Sequence, residues 1–141
     1  MSGHHVVSGN VFVRTASGPG AQIVVTQSNV TIVANVFDGQ APGWAGHWIE
    51  TGAAGGTAIT ALALTANSVR GFASLIHDLN GLAAVGNVLD RSALNVDAVQ
   101  GRSADVAYVG NVAMGGFLRA KHADHVLIEG NIVTGSTRDG I

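Results

Sequence analysis

The stretch Val106-Ala107-Tyr108-Val109-Gly110-Asn111-Val112 alternates apolar residues, closes on a small residue and an asparagine, and reopens on valine. The same phrase occurs at His5-Val6-Val7-Ser8-Gly9-Asn10-Val11, Val30-Thr31-Ile32-Val33-Ala34-Asn35-Val36, Ala61-Leu62-Ala63-Leu64-Thr65-Ala66-Asn67-Ser68-Val69, Leu82-Ala83-Ala84-Val85-Gly86-Asn87-Val88 and Val126-Leu127-Ile128-Glu129-Gly130-Asn131-Ile132. Its asparagines, Asn10, Asn35, Asn67, Asn87, Asn111 and Asn131, lie 25, 32, 20, 24 and 20 residues apart. Most of these intervals fit one turn of a parallel β-solenoid, in which each coil lays short strands on the coil below and cannot bury its apolar face alone. A helix-turn-helix repeat would be longer and much poorer in glycine.

The asparagine after each strand suits an inward or corner position. There, stacked amides bond to one another and to corner backbone, and left-handed φ is tolerated. A second strand per coil is expected between ladder positions: Gln22-Ile23-Val24-Val25, Trp48-Ile49-Glu50, Leu75-Ile76-His77, Asn95-Val96-Asp97 and Phe117-Leu118-Arg119. Each opens soon after a glycine or another small residue, as a corner requires.

Composition agrees with this reading. The 141 residues include 20 Gly, 21 Ala and 19 Val beside seven aromatic residues and two prolines. Glycine costs about 1 kcal/mol per helix position relative to alanine, and valine prefers a pleated, half-buried surface. An all-β chain forming one domain, residues 1–141, follows. With seven Lys plus Arg against nine Asp plus Glu, the net charge of −2 supplies no clustered cations for nucleic acid or anionic lipid. The absence of cysteine removes disulfides and thiolate metal sites. Met1-Ser2-Gly3-His4-His5 is not a basic segment leading into an apolar one, and no apolar run approaches the roughly 18 residues of a membrane span.

On the repeat Gly9-Asn10, Gly86-Asn87, Gly110-Asn111 and Gly130-Asn131, the whole chain resembles the right-handed parallel β-helix superfold of pectate lyases, polygalacturonases and phage tailspike or virion proteins. The resemblance implies about six coils held by an asparagine ladder. It leaves activity open, because this superfold carries lyases, hydrolases, epimerases and inert shafts alike. Enzymes of the superfold usually have an N-terminal helical cap and more coils. Here the first ladder asparagine is already at position 10, and Ser136-Thr137-Arg138-Asp139-Gly140-Ile141 stops where another second strand is due. Uncovered coil ends expose unpaired backbone and apolar core, so a partner is expected, as a homo-oligomer (trimer or end-to-end stack) or within a larger assembly.

Aligning the second strands on Ile49, Ile76, Val96 and Leu118 places Glu50, His77, Asp97 and Arg119 outward on four successive coils. Two rungs separate Glu50 from Asp97, about 9.6 Å, near the upper limit for an inverting glycosidase acid and base. His77 could titrate between them and Arg119 could grip a uronate carboxylate. The same column also serves as a charge-complementary exterior ladder that steadies register. Trp44 and Trp48 fall in the longest interval, where aromatic side chains either stack on sugar or cover a loop. Gly52-Ala53-Ala54-Gly55-Gly56 beside them is a turn without phosphate-loop spacing. His122 and His125 on a strand or corner splay apart instead of sharing a metal. Asp78, Asp90, Asp105 and Asp124 are scattered one per coil and do not reproduce the superfold's calcium cluster.

The expected function is therefore a non-catalytic structural or adhesive module, a phage decoration, spike or fibre component on a virion or an extracellular surface, with polysaccharide contact at Trp44 and Trp48. The competing class is a carbohydrate-active enzyme, a hydrolase or lyase on acidic polysaccharide, using Glu50, His77, Asp97 and Arg119. No cofactor, metal, nucleic acid or membrane partner is expected.

Overall fold

The computed structural model describes residues 3–40, 45–51, 59–97 and 103–136. Its first coil is β1 (His5–Ser8), β2 (Val11–Arg14) and β3 (Ala21–Val25), and its second β4 (Val30–Val33), β5 (Val36–Gly39) and β6 (His47–Thr51). The third is β7 (Ile59–Thr65), β8 (Ser68–Arg70) and β9 (Ala73–His77), and the fourth β10 (Leu79–Val85), β11 (Val88–Asp90) and β12 (Ala93–Asp97). The fifth is β13 (Ser103–Val109), β14 (Val112–Met114) and β15 (Phe117–Lys121), after which β16 (Ala123–Glu129) and β17 (Ile132–Thr134) begin a sixth. Five turns are complete, and the described residues contain no helix.

The strands stack into three parallel sheets: β1-β4-β7-β10-β13-β16, then β2-β5-β8-β11-β14-β17, then β3-β6-β9-β12-β15. The protein is thus an all-β parallel β-solenoid, as the repeat requires, but with three strands per coil where two were expected. The residue after each asparagine, valine in four coils, serine or isoleucine in the others, opens a strand of its own. That strand is only three or four residues long, so in sequence it runs on from the strand before the corner.

In-register stacking builds the core. On the first sheet Val7, Ile32, Leu64, Ala84, Tyr108 and Ile128 lie over one another. On the second the inner column is Phe12, Phe37, Val69, Leu89, Ala113 and Val133, opening with two rings stacked at 4.8 Å. Trp48 meets Phe37 edge-on at 5.3 Å and is wholly buried.

The asparagines occupy the corner between the first two sheets. Nδ2 of each donates to Oδ1 of the next, at 3.1, 3.2, 3.0, 2.9 and 2.9 Å from Asn10 to Asn131. The backbone N–H of each donates to that same oxygen at 2.9 to 3.1 Å. The second Nδ2 hydrogen reaches back to a carbonyl of the preceding coil, as from Asn87 to Leu64 at 2.8 Å. Each interior amide thus makes four bonds, so burial leaves none of its capacity unmatched.

Left-handed backbone falls one residue earlier than expected. Gly9, Ala34, Ala66, Gly86, Gly110 and Gly130, each immediately before a ladder asparagine, have φ between 53° and 67°. This residue turns the chain and leaves the asparagine side chain pointing inward. The corner position is open to solvent, so a Cβ finds room there and alanine stands in place of glycine in two coils. Gly116 is constrained differently, because a Cβ there would land on the Ser92 carbonyl oxygen.

Two outcomes follow for urea denaturation. Asn87→Leu strands Asn67 N–H, one hydrogen of Asn67 Nδ2 and the bond to the Leu64 carbonyl, and leaves Asn111 Oδ1 with one of its two donors, and should cost about 3 kcal/mol or more, against about 1 for Asn10→Leu at the exposed first rung. Gly86→Ala should cost about 1 kcal/mol for its left-handed φ, whereas Gly116→Ala should cost several times that or prevent folding.

Candidate functional site

The expected outward column on the third sheet is only partly assembled. His77 pairs with Asp97, as the alignment required. Glu50, however, pairs with Leu75, and Arg119 with Asn95, each two residues out of step. At β6 a bulge between His47 and Ile49 turns both Trp48 and Ile49 into the core. Thr51 is also inward, and its hydroxyl accepts from His77 N at 2.8 Å and donates to His77 O at 3.0 Å. Ser74 does the same with Asn95. At β15 the small Ala120 is the inward residue over Val96. The alignment assumed large apolar residues inside and so overlooked Thr51, Ser74 and Ala120.

The two-residue offset adds about 6.6 Å along the strand to two rungs across it, so the backbones of Glu50 and Asp97 are about 12 Å apart. The straight two-rung alignment assumed for an acid and base is therefore not kept. Glu50 stands beside His47 instead, its Oε2 3.8 Å from Nδ1.

What does gather is a cluster around Asp97. Lys121, directly below it in register, places Nζ 3.6 Å from Oδ2, and Arg119 Nη2 stands 4.0 Å from the same oxygen. His122, at a left-handed corner with φ of 53°, brings Nδ1 to 3.2 Å from Oδ1. His77 Nδ1 lies 3.1 Å from the Asp97 carbonyl and donates to it, since that oxygen can only accept. Arg119 Nε donates to Asn95 Oδ1 at 2.8 Å, and the guanidinium covers the Phe117 ring. Three basic groups from the fifth coil thus converge on one carboxylate of the fourth, leaving an excess of positive charge. The cluster could hold an anionic group beside an imidazole oriented by a carboxylate. Lys121 and His122 were missed in sequence because they follow the strand segment that the alignment used.

Trp48, a candidate either for sugar stacking or for packing, packs inside, its Nε1 donating to Ala93 O at 3.4 Å. Its indole face is therefore closed to sugar. Trp44 and the Gly52–Gly56 turn lie outside the described residues, as do residues 137–141. His122 and His125 bond to different aspartates, the latter to Asp105 at 3.1 Å.

A second feature carries no sequence motif. Asn29, Ala61, Gly81, Asp105 and His125 all have positive φ. From β7 onward this residue is one that strand pairing steps over. The repeated kink and the small Ala63 and Ala83 leave a trench of about 410 Å³ on the outer face of the first sheet. Its floor includes Ala61, Ala63, Gly81 and Ala83, and His4, Asn29, Thr31 and Asp105 stand at its ends.

Compared with protein-family models, curated proteins and solved structures, the chain finds no match in any of the three.

Tyr108 braces the Asp97 cluster from inside. Its hydroxyl crosses the core and donates to the Arg119 carbonyl at 2.8 Å. Burial pushes its ionisation well above the ordinary range, opposed in part by the Arg119 charge. A phenol whose proton is held more tightly folded than unfolded adds stability below the ordinary tyrosine pKa, and that stability falls as pH rises through it. As the chain has one tyrosine, phenolate absorbance should be absent from folded protein through pH 10 and appear with alkaline unfolding.

Proposed function

We propose that this protein is a non-catalytic structural module that extends by stacking coils end to end. The observation that carries this reading is the direction of the asparagine ladder. Every rung hands its N–H and Nδ2 to the coil that follows, so Asn10 presents a free-facing Oδ1 at one end and Asn131 presents donors at the other. A second copy stacked head to tail would continue the ladder with the same bonds.

The inner columns support the same fit. Val126 and Ile128 point inward on the last described rung of the first sheet yet stay partly exposed. On the second sheet the large Phe12 of the first rung would come to rest on the smaller Val133. The setting on this reading is a virion or extracellular surface, as a decoration, spike or fibre component, supported by the resemblance of the repeat to tailspike coils. Adhesive contact with polysaccharide is assigned to the trench over Ala63 and Ala83, since Trp48 is buried.

A second reading has the Asp97 cluster to support it. A hydrolase or lyase on acidic polysaccharide would use Lys121 and Arg119 to hold the anionic sugar and His122, oriented by Asp97, as the base, with no part for Glu50.

Light scattering over a concentration series tests the stacking. The mass should climb in multiples of 14.2 kDa, and Ile128→Lys, on the stacking face, should stop the growth. One copy at every concentration would overturn it, as would a longer parent chain whose further coils cover Asn131. Release of reducing or unsaturated sugar ends, lost in Asp97→Asn with the fold intact, would replace the structural reading with the enzymatic one.

A further inference from the structure

The three long corners of the solenoid differ in chemistry. The one between the second and third sheets carries Arg70, Asp90 and Arg91, and the one between the third and first carries Asp97, Lys121 and His122. The asparagine corner is flanked by valine. On the second sheet its outer column is Val11, Val36, Ser68, Val88, Val112 and Ile132. On the first sheet it is Ser8, Val33, Thr65, Val85, Val109 and Glu129. Val11, Val36, Val88 and Ile132 are 68, 40, 40 and 57% exposed. With five rung spacings the ridge is about 24 Å long, and Glu129 is its one charged side chain. A contiguous apolar strip of this extent marks an interaction surface.

We propose that the valine ridge joins two copies of this chain side by side, running antiparallel about a two-fold axis across the solenoid. Charge decides the orientation. An antiparallel two-fold places the first coil against the sixth, the second against the fifth and the third against the fourth, so Glu129 meets Ser8 of its partner. The next outer column of the second sheet is Val13, Asp38, Arg70, Asp90, Met114 and Thr134. In the same arrangement Arg70 meets Asp90 of its partner, and Asp38 meets Met114. Parallel packing about an axis along the solenoid would exchange the two flanks, setting Glu129 against Ile132 and the Asp38, Arg70 and Asp90 column against Thr31, Ala63 and Ala83, where none of these charges meets an opposite one. The antiparallel patch is self-complementary, as an isologous dimer needs.

Together with the column of Asp38, Arg70 and Asp90 beside it, the ridge is about 24 Å long and about 20 Å wide and covers roughly 500 Å² per copy, at the lower limit for a specific interface, so the dimer is a reversible one. It uses no residue of the stacking face and stands whether or not the coils stack.

The test is made in the Ile128→Lys chain, where stacking is blocked, and repeated in the wild type. Sedimentation should give twice 14.2 kDa at high concentration. Val36→Glu with Val88→Glu, both outward, should return it to one copy with an unchanged circular dichroism spectrum, whereas Val24→Glu on the third sheet should not. Because the chain lacks cysteine, orientation can be read from engineered disulfides. Arg70→Cys mixed with Asp90→Cys should give a crosslinked heteropair far faster than either variant crosslinks to itself. A chain that still dimerises but forms no such heteropair would overturn the antiparallel arrangement. A single copy at all concentrations, or a dimer indifferent to the paired glutamates, would overturn the interface.

Discussion

The carboxamide of each interior ladder asparagine bonds its own coil to the coils on both sides, and the solenoid depends on that saturation. A buried amide with one unmatched hydrogen would cost about as much as several buried methylenes contribute. Here the matching repeats because the geometry repeats. Oδ1 takes the two donors of the coil before it, and Nδ2 supplies one bond backward and one forward. The requirement that successive asparagines superpose sets the register of the first two sheets, and through them the vertical columns of the core. The irregularities accumulate on the third sheet, furthest from this corner, where β6 bulges and hydroxyls replace apolar side chains.

This division explains what could be read from the residues alone. A side chain that must recur at one spatial position leaves a periodic mark, so Asn10 to Asn131 and the strands before them were legible. The third sheet is held by local accidents. Trp48 fills a wide part of the core, Thr51 stands in for a ladder bond, and Ala120 faces inward with little to announce it. Each moves its neighbours by residues that periodicity cannot count, and the expected Glu50 to Arg119 column came apart for that reason. The trench was illegible for the opposite cause. It is made by what Ala63, Gly81 and Ala83 lack, and alanine and glycine are common throughout this chain.

The three faces consequently differ in what they present. The first sheet is hollowed at its middle, the second has a valine edge beside the Asp38, Arg70 and Asp90 column, and the third carries the ionic groups around Asp97. A solenoid separates these duties well, because outward residues change without disturbing the inner columns. The Asp97 cluster illustrates the coupling that remains. Arg119 points out while its own carbonyl is held from within by Tyr108, so the surface charge and the core share one backbone position.

The ladder intervals also bear on how the chain finds its fold. Asn67, Asn87, Asn111 and Asn131 follow one another at 20, 24 and 20 residues, whereas Asn35 to Asn67 spans 32. Closing the longer interval costs only about 0.4 kcal/mol more than the shortest, but none of these contacts is local in the way a helical turn is. A first pair of coils must therefore form before any rung is rewarded, after which each further coil adds to a finished template. The three compact intervals make the later half of the chain the place where that first pair costs least. Zippering would then run back toward Asn10, across the wide interval that holds Trp48.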